Sequence, residues 1–133
     1  MAKFSLRKIS KDLNPLKDLF SEEELAALSK HGTSIDIAPG QTLMEEGAVG
    51  SEVAIIIEGQ AKITQGGNVV ANAGAGDILG EQAVLNSEAR DASVSAVTFL
   101  KISVLGVEAF AKVLTASDDF RRRVDSQIQR RAA

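Results

Sequence analysis

The chain has 133 residues, a formal net charge of −3, no cysteine and a single histidine, His31. A chain of this length is expected to form a single domain, which would span residues 1–133. The missing cysteines and the lone histidine argue against disulfides, a thiolate or multi-histidine metal site and a Ser-His-Asp catalytic triad. The negative charge argues against a nucleic-acid partner. Residues 1–16 lack the continuous apolar stretch of a signal peptide or membrane span, so we expect a cytoplasmic location and no membrane partner.

The first element that the sequence predicts is a helix, within an N-terminal helical segment of residues 1–32. Ser21 and Glu24 have the spacing of a capping box, in which each side chain accepts a hydrogen bond from the other residue's backbone amide. Phe20 before this cap and Leu25 after it stand at hydrophobic-staple positions. Gly32 is a typical residue at the end of a helix, so we expect the helix to stop there.

Short β-like runs separated by glycines fill residues 33–104. Residues 53–57 are apolar throughout rather than alternating, which indicates a strand buried on both faces. Gly66-Gly67-Asn68 is a hairpin signal. Regular short strands at this spacing favour a sandwich, barrel or roll. The predicted strands are residues 34–37, 41–45, 52–58, 61–65, 69–73, 90–96 and 99–103.

Helical periodicity returns in residues 105–133, which are predicted to form two C-terminal helices. The first is predicted to start at Leu105 after a cap at Ser103, and its apolar stripe is Val107, Phe110, Val113 and Leu114. The second is predicted to start at about Asp118, and its apolar residues are spaced four apart at Phe120, Val124 and Ile128.

Arg90 stands out in the middle of the chain because it is the only arginine between Arg7 and Arg121. Residues 33–117 carry ten acidic side chains against four basic ones. A lone guanidinium in an acidic stretch, shortly after Gly80-Glu81 and a short helical run, is poorly explained as a charge that serves solubility. We interpret it as the counter-ion of a small anion.

The residues around Gly80 suit a phosphate. A helix of little more than one turn is predicted to begin at Glu81, and a helix N-terminus presents unpaired amides and a partial positive charge. Gly80 has no side chain to keep an anion from the backbone. Arg90 can hold the same phosphate with two charge-assisted hydrogen bonds. A phosphate would repel Glu81, whose carboxylate is better suited to accept a hydrogen bond from a sugar hydroxyl.

The run Gly80-Glu81 followed by Arg90-Asp91-Ala92-Ser93-Val94 resembles the phosphate-binding cassette of cyclic-nucleotide-binding domains. That family includes the regulatory subunits of protein kinase A and the catabolite activator protein. Further motifs extend the resemblance over roughly residues 16–128, and they are Leu19-Phe20-Ser21, Pro39-Gly40-Gln41-Thr42-Leu43, Glu46-Gly47, Ile55-Ile56-Ile57-Glu58-Gly59 and Gly76-Asp77. The resemblance implies a mainly β, α+β fold: an antiparallel, jelly-roll-like β-roll with an N-terminal helix, a short phosphate-binding helix and two C-terminal helices.

The resemblance also implies roles for individual residues. Arg90 would hold the cyclic phosphate, Glu81 the ribose 2′-hydroxyl, and the last helix would close over the base as a lid. The implied nucleotide-binding residues are Leu79, Gly80, Glu81, Gln82, Ala83, Arg90, Asp91, Ala92 and Ser93. The candidate lid residues are Val124, Gln127 and Ile128. The expected ligand is cAMP, with cGMP as the alternative, and no catalytic residue, metal or cofactor is expected.

Two residues depart from the family's pattern. Ala89 stands where proline is frequent, which affects the stiffness of the loop. Asp91 stands where threonine, serine or alanine is common, and it would place a negative charge beside an anion at a repulsion of roughly 1–4 kcal/mol. Absence of the usual threonine favours cAMP over cGMP. Asp91 also motivates an alternative function, an interaction or scaffold β-roll of the same fold whose nucleotide site is weak or lost.

The leading hypothesis is a non-catalytic regulatory module that transmits ligand binding through its last helix to an effector protein of unknown identity. A homodimer through that helix is an open alternative. Arg121, Arg122 and Arg123 are interpreted as a solvated helix face, with docking to an acidic surface as the other reading. A β-roll metalloenzyme would need several converging ligands, and a transcription factor would need a DNA-reading helix pair. We therefore expect any output domain outside this sequence.

Overall fold

The computed structural model describes residues 9–132, with side chains described as far as Gln129. Eight strands and four α-helices follow a short 3-10 helix at Lys11–Leu16. The strands are β1 (Thr33–Ile37), β2 (Thr42–Met44), β3 (Glu52–Glu58), β4 (Ala61–Gln65), β5 (Asn68–Ala73), β6 (Ile78–Leu79), β7 (Ser93–Ala96) and β8 (Leu100–Gly106). The helices are α1 (Glu22–His31), α2 (Glu81–Asn86), α3 (Val107–Ala116) and α4 (Asp118–Ala132).

The strands form two antiparallel sheets of four, in the orders β1-β8-β3-β6 and β2-β7-β4-β5. The predicted antiparallel β-roll with an N-terminal helix, a short helix and two C-terminal helices is therefore confirmed. A predominantly apolar layer joins the sheets, and a second apolar cluster joins the first sheet to the helices. The pocket described below opens beside the first of these layers.

Strand β3 contributes to both clusters, as its unbroken apolar run predicts. Val53, Ile55 and Ile57 pack towards the helices, whereas Ala54 and Ile56 pack between the sheets. All five side chains are buried, and a fully buried large aliphatic side chain contributes about 1.5–3 kcal/mol. This strand therefore anchors the sheet that carries β6 and, through it, the start of α2.

Helix α1 begins as the capping box predicts. The Glu24 amide donates to Ser21 Oγ at 3.2 Å, and the Ser21 amide donates to Glu24 Oε1 at 2.9 Å. The Glu24 carboxylate also receives two 2.8 Å hydrogen bonds, from Nε and Nη2 of Arg123 on α4. The Arg123 guanidinium carbon lies 3.9 Å from the centre of the Phe20 ring. The expectation of a solvated arginine face is thus wrong for Arg123, which joins α4 to α1.

The other two arginines of that run agree with a solvated face. Arg121 and Arg122 are exposed and form i,i+3 ion pairs with Asp118 and Asp119. The basic residues Lys3, Arg7 and Lys8 and the side chains of Arg130 and Arg131 lie outside the described part of the chain. Within the described part, no helix is long and apolar enough to span a membrane.

Several boundaries differ from the sequence prediction for identifiable reasons. Ser103 lies inside β8 rather than capping a helix, because β8 continues to Gly106, which is the N-cap of α3. Strand β7 begins at Ser93 and not at residue 90, because Arg90 pairs with the loop after β2 instead. The 3-10 helix and the two-residue strand β6 were not predicted.

Candidate functional site

The site is built where β6 runs into α2 through Gly80. Gly80 is the N-cap of α2 and has φ of 84°, in the left-handed region that favours glycine. A Cβ at this position would overlap Nη1 of Arg90 and lie within 3.1 Å of Glu52 O. The glycine is therefore required by its backbone conformation and by the close approach of the Arg90 guanidinium.

Arg90 is fixed through both its backbone and its side chain. Its amide donates to Ala48 O, and its carbonyl accepts from the Gly47 amide, each at 2.8 Å. Its Nη2 donates to Glu52 O at 2.7 Å, and its Nη1 donates to Gly80 O at 3.5 Å. These bonds involve only some of the five guanidinium N–H groups, so the half-buried side chain retains donors for an anion.

The Arg90 guanidinium stands in a mixed electrostatic environment. Burial lowers the pKa of Arg90, whereas the nearby carboxylates of Glu52 and Glu81 partly offset that shift. The group stays charged because an arginine pKa lies far above neutral pH. Glu81 itself is fully buried at the first position of α2.

A pocket gathers most of the residues predicted to bind the nucleotide. Its volume is about 430 Å³ including the part open to solvent. Eight of the nine predicted binding residues line it, and they are Leu79, Gly80, Glu81, Gln82, Ala83, Arg90, Asp91 and Ala92. The structure thus brings the Gly80 segment and the Arg90 segment to one cavity.

Ser93 is the predicted binding residue that does not line this pocket. It is the first residue of β7, and its hydroxyl accepts a 2.9 Å hydrogen bond from the Glu46 amide. Glu46 in turn accepts from the Gly66 amide at the tip of the β4–β5 hairpin. The side chain therefore supports the loops that flank the pocket.

Asp91 lines the pocket but is exposed to solvent. Its backbone carbonyl accepts a 3.1 Å hydrogen bond from Nε2 of Gln65, the last residue of β4. Among the described side chains, no ion pair joins Asp91 to Arg90, whose carboxylate neighbours are Glu52 and Glu81. The extra negative charge therefore stands at the solvent side of the pocket.

The three candidate lid residues lie elsewhere, on the helical side of the first sheet. Val124 is buried in the core cluster, and Ile128 packs against the same cluster. Gln127 is also buried, and its amide contacts the backbone of Ile78 in β6. No described residue of α4 lines the pocket.

Sequence reasoning missed the apolar wall of the pocket. Met44 of β2, Ile63 of β4 and Val94 of β7 complete the lining. They lie on the second sheet, so only the pairing of β2, β7 and β4 shows that they share a surface. Within the described chain, no group of three or more His, Cys, Asp or Glu side chains is placed to hold a metal ion.

Fold and site together define a β-roll domain in which a guanidinium and the N-terminus of a short helix line one pocket. Comparison with known proteins makes the class specific, because residues 35–117 match the family model "Cyclic nucleotide-binding domain". The chain belongs to the cyclic nucleotide-binding domain family, whose members are non-catalytic regulatory domains.

Relatives agree with this assignment. The cAMP-dependent protein kinase regulatory subunit of Yarrowia lipolytica is 37% identical over 106 residues, which cover 78% of this chain and 28% of that protein. Among solved structures, cAMP-bound PfPKA-R (141-441) has a TM-score of 0.70 at 26% identity, covering 89% of this chain and 42% of the other. The catabolite activator protein of Thermus thermophilus shares the fold, with a TM-score of 0.76 at 21% identity, covering 89% of this chain and 57% of the other. The chain thus spans about a quarter of the length of the curated relative.

Proposed function

We propose that this domain binds cAMP in preference to cGMP in the pocket between α2 and Arg90, and that α4 transmits the binding event. The observation that carries the proposal is the position of Arg90, whose guanidinium is held by Glu52 O and lines a pocket beside the N-terminus of α2. No cofactor or metal is part of the proposal.

The cyclic phosphate would be held from two sides. Arg90 would donate charge-assisted hydrogen bonds, each contributing about 1.5–3 kcal/mol, and the amides of Gln82 and Ala83 would face the phosphate from the first turn of α2. The carboxylate of Glu81 would accept a hydrogen bond from the ribose 2′-hydroxyl. The remaining lining residues, Leu79 and Ala92 among them, would contact the nucleotide through apolar surface or backbone.

Two observations support cAMP as the preferred ligand. Asp91 offers no hydroxyl where a threonine could contact a guanine base. Curated relatives at 30–37% identity across three quarters or more of this chain include several cAMP-dependent protein kinase regulatory subunits. The charge of Asp91 would weaken binding without abolishing it, because the side chain is exposed and screened by water.

The output would be mechanical. On ligand binding, α4 would move towards the base as a lid, with Val124, Gln127 and Ile128 as the candidate lid residues, and would change the surface offered to an effector protein. We place residues 1–133 in one regulatory domain of a cytoplasmic protein. A homodimer through α4 is a further arrangement that size measurements in solution would reveal.

Calorimetric titration with cAMP and cGMP in parallel tests the proposal. The unaltered chain should bind cAMP more tightly than cGMP. Arg90→Ala should lose a factor of about 10² to 10⁴ in cAMP affinity, since it removes two charge-assisted hydrogen bonds. Arg121→Ala is the matched control, because Arg121 is exposed on α4 and forms an ion pair with Asp118.

The outcomes separate the alternatives. A stabilising ligand at 100 times its dissociation constant adds about 2.7 kcal/mol to the free energy of unfolding. If saturating cAMP and cGMP left the melting temperature unchanged, the scaffold alternative would replace the proposal. Undiminished cAMP binding by Arg90→Ala would refute the role of Arg90.

A further inference from the structure

Strand β6 lies at the edge of the first sheet and has a side-chain partner on its outer side. On its inner side it pairs with β3, where Ile78 stands opposite Ile55. The Ile56 amide donates to Asp77 O, so Ile55 and Ile78 form a non-hydrogen-bonded pair, and the N–H and C=O of Ile78 point away from β3.

Gln127 of α4 meets both of those backbone groups. Its Oε1 accepts from the Ile78 amide at 3.3 Å, and its Nε2 donates to Ile78 O. The carboxamide thus takes the place that a neighbouring strand would occupy at the sheet edge. The Gln127 side chain is buried, so water competes poorly for these two bonds.

This contact joins α4 to the segment that forms the site. Ile78 and Leu79 lead directly into Gly80 and α2, and Leu79 already lines the pocket. In this arrangement the described residues of α4 lie outside the pocket, and Gln127 fixes the helix there.

Gln127 is well placed to control the C-terminal part of α4. The first half of the helix is held by the buried apolar residues Phe120 and Val124 and by the Arg123–Glu24 ion pair. Beyond Val124, the described side chains with substantial burial are Gln127 and the partly buried Ile128. Two hydrogen bonds require a defined geometry, whereas apolar contacts tolerate sliding, so Gln127 sets the position of this part of the helix.

We propose that Gln127 is a latch that holds the C-terminal part of α4 against β6 and thereby opposes its closure over a bound cyclic nucleotide. This inference rests on the proposed function, in which α4 moves towards the ligand. Gln127 is a positioning residue, because in this arrangement it contacts the backbone of β6 and not the pocket.

The latch has a measurable consequence for affinity. When only a fraction of molecules is competent to close, the apparent dissociation constant exceeds the intrinsic one in inverse proportion to that fraction. Breaking two hydrogen bonds that favour the docked helix raises the competent fraction. We therefore expect cAMP to bind about tenfold more tightly to Gln127→Met.

The experiment compares Gln127→Met with Gln129→Met. Methionine keeps the length of the side chain but makes no comparable hydrogen bonds, and Gln129 is exposed two residues further along the same helix. Two measurements are made on each full chain: amide hydrogen exchange of α4 without ligand, and calorimetric titration with cAMP. The latch predicts faster exchange in the C-terminal part of α4 and about tenfold tighter binding for Gln127→Met alone.

Each other outcome is decisive. Unchanged exchange in Gln127→Met would show that the side chain does not hold the helix. Faster exchange in Gln127→Met together with equal or weaker cAMP binding would refute the proposal that this contact opposes closure of α4 over the nucleotide. If the unaltered chain bound neither cAMP nor cGMP, the proposed function would be refuted, and so would the proposal that Gln127 opposes closure over a nucleotide. The exchange data would still show whether Gln127 holds α4 against β6.

Discussion

Replacing Gly80 with alanine tests how closely the backbone of the site and the Arg90 guanidinium depend on one another. Gly80 has φ of +84°, and a Cβ added there would overlap Arg90 Nη1 while lying 3.0 Å from Met44 Cε and 3.1 Å from Glu52 O. Because Glu52 O is a backbone atom and itself accepts from Arg90, the guanidinium is the group that must move.

The magnitude follows from two separable contributions. A left-handed conformation costs a non-glycine residue about 1–2 kcal/mol. Gly40 has φ of +86° and no neighbouring atom within 4 Å of an added Cβ, so a Gly40→Ala variant would have this conformational cost and no steric overlap. Gly80→Ala adds the loss of the Arg90 hydrogen bond to Glu52 O, which is a bond to a charged group and contributes about 1.5–3 kcal/mol, so we expect it to destabilise the fold by about 2.5–5 kcal/mol in total.

Circular dichroism is the suitable probe of unfolding, since the chain has no tryptophan or tyrosine. We expect Gly40→Ala to lower the melting temperature by roughly 3–8 °C and to leave cAMP affinity within about twofold. Gly80→Ala should melt lower still and bind cAMP at least about 100-fold more weakly. Equal melting temperatures and equal affinities for the two variants would refute the argument that Arg90 depends on the missing side chain at Gly80.

Two further predictions concern other charged groups. Arg123→Met should destabilise the fold by about 2–4 kcal/mol in chemical denaturation, because it leaves the Glu24 carboxylate, 1% exposed, without its cation. Much of that stability should return when Glu24→Gln is added, because glutamine removes the unpaired charge and can still complete the capping box, and a single variant as stable as the unaltered chain would contradict the role of the pair. Asp91→Thr should tighten cAMP binding about fivefold at low salt, with less gain at high salt, through removal of one like charge. Asp91→Asn should reproduce the gain in calorimetry, and no change in either variant would mean that the charge is too distant to matter.

The sequence was sufficient to predict those parts of the fold that a single strong local pattern determines. The capping box at Ser21 and Glu24 and the unbroken apolar run of β3 each have a single favourable local solution, and both form as predicted. The Gly80 and Arg90 segments were also predicted to act together, because a helix N-terminus and a guanidinium suit one anion.

Other features depend on contacts between distant parts of the chain. Strand β6 has two residues, too few for any periodicity, and it exists because β3 and Gln127 pair with it from either side. The apolar wall at Ile63 and Val94 depends on which strands become neighbours. Arg123 is one of three consecutive arginines, and only the packing of α4 on α1 distinguishes it from the other two.

Strand β3 divides its side chains between two cores, and this arrangement separates two properties that selection could adjust. Changes at Val53, Ile55 or Ile57 alter the surface on which the helices rest, whereas changes at Ala54 or Ile56 alter the layer behind the pocket. Substitutions at alternate positions of β3 could thus change the packing of the helices and the shape of the pocket independently of each other. A shift of β3 by one residue would move each set of side chains to the opposite face of the sheet, so the register of this strand is needed for both the helix-facing core and the layer behind the pocket.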